Sequence, residues 1–277
     1  MAALSISTAW NETAVFVSRH AGPLFTVAFA FIALPNVAFQ ILAPESLAAG
    51  DASAAAILLP PVLVLIALSI IGTLAISALG LGRENVVGAA ISLAFRRFLP
   101  LLGASLLVGA AGLLLMAIIF ALAGVTPADV IAPSPASRGR GAIAFLIFLI
   151  PALFVWVRLM FMTPVAAAEP EGVLGIIRRS WRLTAGRFWK LLGFVLLFLL
   201  AGLVAMLVAT MVTGIVITLI AGAPTPGSVS ALLLALVSGL LNAVFIVFFT
   251  TMVARIYLQV ADAKPAASAA APGPTAD

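Results

Sequence analysis

Apolar positions arrive in six long runs, at residues 22–43, 57–80, 100–124, 141–164, 189–221 and 229–258, separated by short polar stretches. Each run reaches the ~20 apolar residues that an α-helix needs to cross a hydrocarbon core of about 30 Å. The runs are continuous rather than alternating, so the pattern predicts membrane-spanning helices and not half-buried strands. The expected fold class is all-α: a polytopic bundle of six transmembrane helices forming a single domain over residues 1–262.

Three segments lying before the first, third and fifth runs have a different rhythm. In 172–188, Leu174, Ile177, Trp181, Thr184 and Phe188 recur at steps of three and four, with Arg178, Arg179 and Arg182 on the other side. In 85–98 the stripe is Val87, Ala90, Ile91, Ala94, Phe95 and Phe98 against Arg96 and Arg97; in 4–20 it is Ile6, Ala9, Trp10, Thr13, Phe16 and Val17, with Glu12 and Arg19 polar. This spacing puts apolar groups on one face of a helix, and the segments read as three amphipathic helices lying in the membrane interface. Arg97-Phe98-Leu99-Pro100-Leu101-Leu102-Gly103 matches Arg187-Phe188-Trp189-Lys190-Leu191-Leu192-Gly193 at five of seven positions, at an offset of ninety residues. That match predicts a threefold internal repeat of one interfacial helix followed by two spans, a parallel arrangement known in membrane proteins.

The connections at 43–56, 125–140 and 222–228 are rich in Pro, Ser, Gly and Ala and read as turns and coil. The tail 263–277 is Pro/Ala-rich with no apolar face and is expected to be disordered. The segment before the first run lacks a basic start and carries Glu12, so the first span is read as retained rather than as a cleaved signal peptide.

Composition sharpens this picture. The chain is 64% apolar and 8% charged, where soluble domains average roughly 45–50% and about 25%, and its mean hydropathy is +1.30. A water-soluble globule is excluded. With no cysteine, disulfides and thiolate sites are excluded, and His20 is the single histidine. The pI of 11.1 reflects basic residues gathered at one membrane face, not nucleic-acid binding. With six spans, Arg19, Arg83, Arg96, Arg97, Arg178, Arg179, Arg182, Arg187, Lys190, Arg255 and Lys264 fall on one side, against Arg138 and Arg140 on the other. Positive charge is retained on the cytoplasmic side of short loops, which predicts both termini in the cytoplasm. Arg outnumbers Lys twelve to two and Ala and Gly are abundant, usage that suggests a GC-rich bacterial genome and hence a bacterial inner membrane.

Few residues offer chemistry. Ser69, Thr73 and Ser77, Gly109 with Gly112, Ala201, Ala205, Ala209 and Thr213, and Gly239 with Ala243 sit at helix-packing intervals and read as close helix contacts. Arg158 is the charge set most deeply inside a run, Lys190 and Arg255 lying closer to run ends; at ~1.5 Å per residue from position 142 it lies about 24 Å into a ~30 Å core, from where it can snorkel to the cytoplasmic interface or meet a lipid phosphate or Glu169. Pro35, Pro60, Pro61 and Pro151 are expected to kink spans or mark their first turns. Asn36, Gln40 and Asn242 are intramembrane polar groups, fit for interhelical hydrogen bonds or a polar cavity. All nine acidic residues lie outside or at the edges of the runs, which disfavours ion-coupled transport and intramembrane proteolysis, both of which place carboxylates or paired metal ligands in the bilayer. No catalytic residue, metal ligand or cofactor is expected.

The segment Ile177-Arg178-Arg179-Ser180-Trp181-Arg182-Leu183-Thr184-Ala185-Gly186-Arg187-Phe188-Trp189-Lys190-Leu191-Leu192-Gly193 is the least generic stretch. It resembles a signature of the membrane-domain family of bacterial glycerophosphoryl diester phosphodiesterases and of stand-alone six-helix relatives of unknown function. Trp10, the six runs and Ala254-Arg255-Ile256-Tyr257 agree in layout. In the two-part enzymes hydrolysis belongs to a separate soluble barrel with acidic metal ligands and histidines, for which this chain lacks the length and a second histidine. The resemblance therefore implies a membrane module near phospholipid headgroups, not a hydrolase. Arg178, Arg179, Arg182 and Arg187 with Trp181 and Trp189 place guanidinium forks and aromatic rings at headgroup depth, where anionic lipid attracts roughly 1 kcal/mol per basic residue. Two functions stay open: a non-enzymatic protein that binds or organises anionic phospholipid, alone, as a homo-oligomer or beside a membrane partner protein; and a passive pore or permease subunit for a small solute.

Overall fold

The computed structural model describes residues 5–42, 52–84, 86–131, 134–225 and 227–269. All regular structure among them is helical. Helix α1 (Ile6–Arg19) is followed by a first span built of α2 (Ala21–Ala28), a π-helical turn (Phe29–Ala33) and α3 (Leu34–Leu42). Then come α4 (Ala52–Gly80), α5 (Val87–Leu122), α6 (Pro127–Ile131), α7 (Pro135–Leu159), α8 (Met162–Ala168), α9 (Val173–Thr184), α10 (Phe188–Ala221) and α11 (Val229–Ala269). Six stretches are long and apolar enough to cross a membrane: Ala21–Gln40, Leu59–Gly80, Val87–Leu122, Pro135–Ala168, Phe188–Ala221 and Val229–Ala261.

Local sequence explains the helix ends. Ser5, Thr126 and Ser134 accept hydrogen bonds from the backbone N–H groups three residues on, at Thr8, Asp129 and Ser137, which satisfies donors that a helix start leaves open. Around α6 the cap is reciprocal, because Asp129 Oδ2 accepts from Thr126 N at 2.9 Å and from Thr126 Oγ1 at 2.7 Å. The break between α7 and α8 falls at Met160–Phe161, four residues before Pro164, whose ring would clash with the Met160 carbonyl in a continuous helix. The π turn precedes Pro35, which lacks an N–H, and Asn36 Nδ2 donates to the Ile32 carbonyl one turn back at 2.7 Å.

The buried core gathers at one end of the bundle. It takes in the last turns of α4 (Ile71, Leu74, Ile76, Leu79), the first part of α5 (Ala90, Ala94, Leu101), all of α8 except Thr163, the inner side of α9, and the end of α11. The spans alternate direction, so this end also carries Arg83, Arg96, Arg97 and the arginines of α9; it is called the basic end below. Toward the other end α5 and α10 diverge from their neighbours and expose Leu106, Leu113, Leu114, Leu122, Leu203, Leu207, Ile215 and Leu219, a surface suited to lipid. α4 packs most extensively on α5, while α11 packs against α10, α1, α4 and the first span.

Several expectations change. Residues 87–98 are not a separate interfacial helix but the start of α5, since Pro100 forgoes one backbone bond without ending the helix. In α9 the buried positions are Ile176, Ser180, Leu183 and Thr184, while Leu174 and Trp181 are exposed; the packed face is rotated away from the bulkiest residues, which point outward. Ala-rich α11 continues to Ala269, into the segment expected to be disordered, in keeping with alanine's high helix propensity; residues 270–277 lie outside the described residues, as does most of the 43–56 connection. Of the small-residue sets, Gly239 does bring helices together, its missing Cβ leaving room for Val37 and the Ala33 carbonyl. Gly109 and Gly112 do not: a Cβ at either meets nothing within 4 Å.

Candidate functional site

Helix α9 is held to the bundle by its inner side. Arg179 Nε donates to Glu169 Oε1 at 2.9 Å, and Tyr257 of α11 donates its hydroxyl to the same oxygen at 2.7 Å. One carboxylate thereby joins α9, the α8–α9 connection and α11. Ser180 donates to the carbonyl of Arg158 at 3.0 Å, an acceptor at the end of α7; the single hydroxyl proton of Thr184, one turn on, is shared between that carbonyl at 3.3 Å and the Trp181 and Ser180 carbonyls of its own helix at 3.0 and 3.2 Å. Ile176 and Leu183 complete the buried side.

This anchoring decides where the arginines go. Arg179 is turned inward into the ion pair, whereas Arg178 and Arg182 are exposed and have no carboxylate partner among the described residues. Arg187 is half-buried at the start of α10, and Trp189 is 80% exposed. The six residues expected to form one headgroup cluster are therefore divided: Arg178, Arg182 and Trp189 face outward, Trp181 is partly exposed but packs against Phe154 and Arg158, Arg187 is half-buried, and Arg179 is held in the ion pair.

Arg158 does not reach Glu169. Its guanidinium carbon lies 5.3 Å from the centre of the Phe154 ring, 5.2 Å from that of Trp181 and 5.8 Å from that of Phe188, within cation–π range of all three. Its Nε and Nη1 are buried with no hydrogen-bond partner among the described residues, so the rings replace water as the surroundings of the charge. Arg255 of α11 is placed comparably, 4.4 Å from the centre of the Phe16 ring on α1, and its Nε has no hydrogen-bond partner among the described residues.

Beside this aromatic group lies a cavity of about 740 Å³ between α5 and α7, closed below by α8 and by Ile177 and Trp181 of α9. Its polar side chains are few: Thr73, Ser105, Thr163 and the indoles of Trp156 and Trp181. Asn36, Gln40 and Asn242 do not line it. Asn36 is bonded to its own helix, Gln40 is exposed and Asn242 is half-buried in α11. Among the described residues, no three of His, Asp and Glu come together as a metal-ligand set.

From the sequence, Glu169 is expected only as a partner for Arg158, Thr184 only as a position on the apolar stripe, and Ser180 has no assigned role. The Ser-x-x-x-Thr spacing inside an amphipathic helix was the available signal, because it puts two hydroxyls on one face.

Six apolar crossings around a buried core define a multi-pass α-helical membrane protein. Residues 5–260 match the family described as Domain of unknown function (DUF7847), and the chain belongs to it. No curated protein and no solved structure matches it.

Proposed function

We propose that this protein is a non-enzymatic, multi-pass protein of a bacterial inner membrane, with both termini cytoplasmic, that binds or organises anionic phospholipid at the cytoplasmic face. One observation carries the reading: α9 is pinned through Arg179, Ser180 and Thr184 so that Arg178 and Arg182 stand outward beside Trp181. Unpaired guanidinium forks next to an interfacial tryptophan are suited to phosphate oxygens. The likeness of residues 177–193 to the membrane domain of glycerophosphoryl diester phosphodiesterases supports it. A threefold repeat is part of the proposal, supported by the packing of α1 on α11 and of α9 on α7 and α8, although α9 packs on α5 as well. A membrane partner protein or a second copy remains part of the proposal. The pore reading is the weaker one, because Asn36, Gln40 and Asn242 do not surround a common space.

The test is extraction with the native lipid annulus and mass spectrometry of co-purifying lipid, comparing the wild type with Arg178→Ala/Arg182→Ala. Two lost contacts of about 1 kcal/mol each predict roughly a 30-fold drop in preference for anionic over zwitterionic lipid. Equal lipid profiles in the two proteins would remove the basis of the proposal.

A further inference from the structure

The cavity between α5 and α7 bears on what kind of molecule the basic end receives. Its wall on α5 includes the small residues Ser105, Gly109 and Gly112 at helical spacing, beside Leu101, Val108 and Leu115. Small residues on a membrane helix ordinarily let a second helix come close, yet no helix fills this space, and added Cβ atoms at Gly109 and Gly112 would touch nothing within 4 Å. Here they create volume instead of contact.

The cavity has the size and chemistry of a binding site: about 740 Å³, within the roughly 300–1,000 Å³ typical of pockets for small ligands, with mostly apolar walls. Along α5 it runs from Leu101 to Leu115, about 21 Å at 1.5 Å per residue, somewhat more than the ~15 Å depth of half a hydrocarbon core. Ser105, Gly109 and Ala111 on its wall are exposed, so it communicates with the outer surface of the bundle, which in a membrane is lipid. At one end stands Trp181, its ring 5.2 Å from the Arg158 guanidinium carbon, on the helix that also carries the exposed Arg178 and Arg182. A long apolar slot bordered by a tryptophan that touches one guanidinium and shares its helix with two exposed ones is complementary to one class of molecule, an amphiphile with a long hydrocarbon tail and an anionic head.

We propose that the α5–α7 cavity seats one acyl chain of a phospholipid whose phosphate lies at the arginines of α9, a proposal that rests on the lipid-binding reading for its headgroup half alone. Gly109 and Gly112 keep the slot open, and Trp181 marks the boundary between tail and headgroup. The protein then holds one particular lipid molecule in place rather than attracting an anionic layer in general.

The test uses the full-length protein, delipidated in detergent and offered dioleoyl phosphatidylglycerol or dioleoyl phosphatidylcholine, with native mass spectrometry counting the lipid retained as the detergent is stripped. Gly109→Leu/Gly112→Leu fills the slot where there is open space; Ser105→Leu fills it separately, in case the double variant melts early. Gly193→Leu adds the same side chain at another glycine with no neighbour within 4 Å and outside the cavity. The proposal expects both filled variants to lose the last tightly held lipid, with either headgroup, while Gly193→Leu and the wild type keep it. It is overturned if the filled variants, with wild-type melting temperatures, retain as much lipid as the wild type. Failure of the headgroup reading looks different. If the wild type retains the two lipids equally while the filled variants lose both, the tail seat stands without headgroup selection. If only Arg178→Ala/Arg182→Ala lowers retention of phosphatidylglycerol, the tail seat is wrong and the arginines act alone.

Discussion

At the scale of single residues, the carboxylate of Glu169 has the widest reach, because Arg179 and the buried Tyr257 both donate to one of its oxygens. Hydrogen bonds to charged groups contribute about 1.5–3 kcal/mol, so Tyr257→Phe is expected to cost stability in that range, read as a lower midpoint of thermal unfolding in detergent. Arg179→Ala should lower it too, and the two losses should not add, since both act through the same oxygen. Asp129 offers a test at the opposite end of the bundle. Its hydrogen bonds from the Thr126 side chain and backbone hold its carboxyl below the ordinary value of 3.8. A carboxyl depressed on folding contributes stability that is present above its unfolded pKa and is lost as pH falls through the folded one. The turn around α6 should therefore persist through the pH range in which an ordinary aspartate protonates and loosen only below it. Thr126→Val should move the Asp129 midpoint back upward in a carboxyl NMR titration.

At the scale of elements, the glycines separate contact from space. A Cβ at Gly72 of α4 would lie 2.9 Å from Phe31 Cβ and 3.2 Å from Ile32 Cγ1 in the π turn of the first span. Phe31 Cβ is fixed to its backbone and cannot swing aside, so Gly72→Ala is expected to destabilise by about 1–3 kcal/mol through overpacking. Gly109→Ala meets open space and should instead stabilise by up to ~1 kcal/mol through helix propensity. Thermal melts of the two variants in one detergent check the pair, and a similar loss from both would mean that α5 is packed at Gly109 after all. Periodicity could not have drawn this distinction. Gly72 and Gly109 sit in equally apolar surroundings in the sequence, and whether a neighbour approaches depends on where other helices run. The same holds for α9, whose amphipathic stripe was legible while the side that packs was not. Ser180 and Thr184 are drawn inward by the open carbonyl of Arg158, an acceptor that exists only because α7 ends there.

At the scale of the whole molecule, the uneven distribution of charge makes a prediction about orientation. The basic end, with Arg83, Arg96, Arg97 and the arginines of α9, should face the cytoplasm. The chain has no cysteine, so single-cysteine variants report without background. Ser18→Cys and Ala185→Cys, both exposed at the basic end, are expected to resist a membrane-impermeant maleimide in intact cells and to react in inverted vesicles. Ala223→Cys, exposed in the opposite connection, should do the reverse. Labelling of both ends from one side would contradict the odd–even arrangement of the spans.

Length, hydropathy and charge placement by themselves determined that six helices are long and apolar enough to span and that basic groups collect at one end, but not that the third begins at Val87 or that the last continues to Ala269. Those properties follow from the free energy of moving each side chain out of water, which is local and nearly additive along the chain. Only the tertiary structure decided which arginine of α9 is bound inward, that Arg158 lies among three aromatic rings, and that one pair of glycines lines a cavity while others hold helices together. Each of these depends on what stands across a gap of a few ångströms, contributed by segments far away in sequence, and no periodicity in one segment records its neighbour.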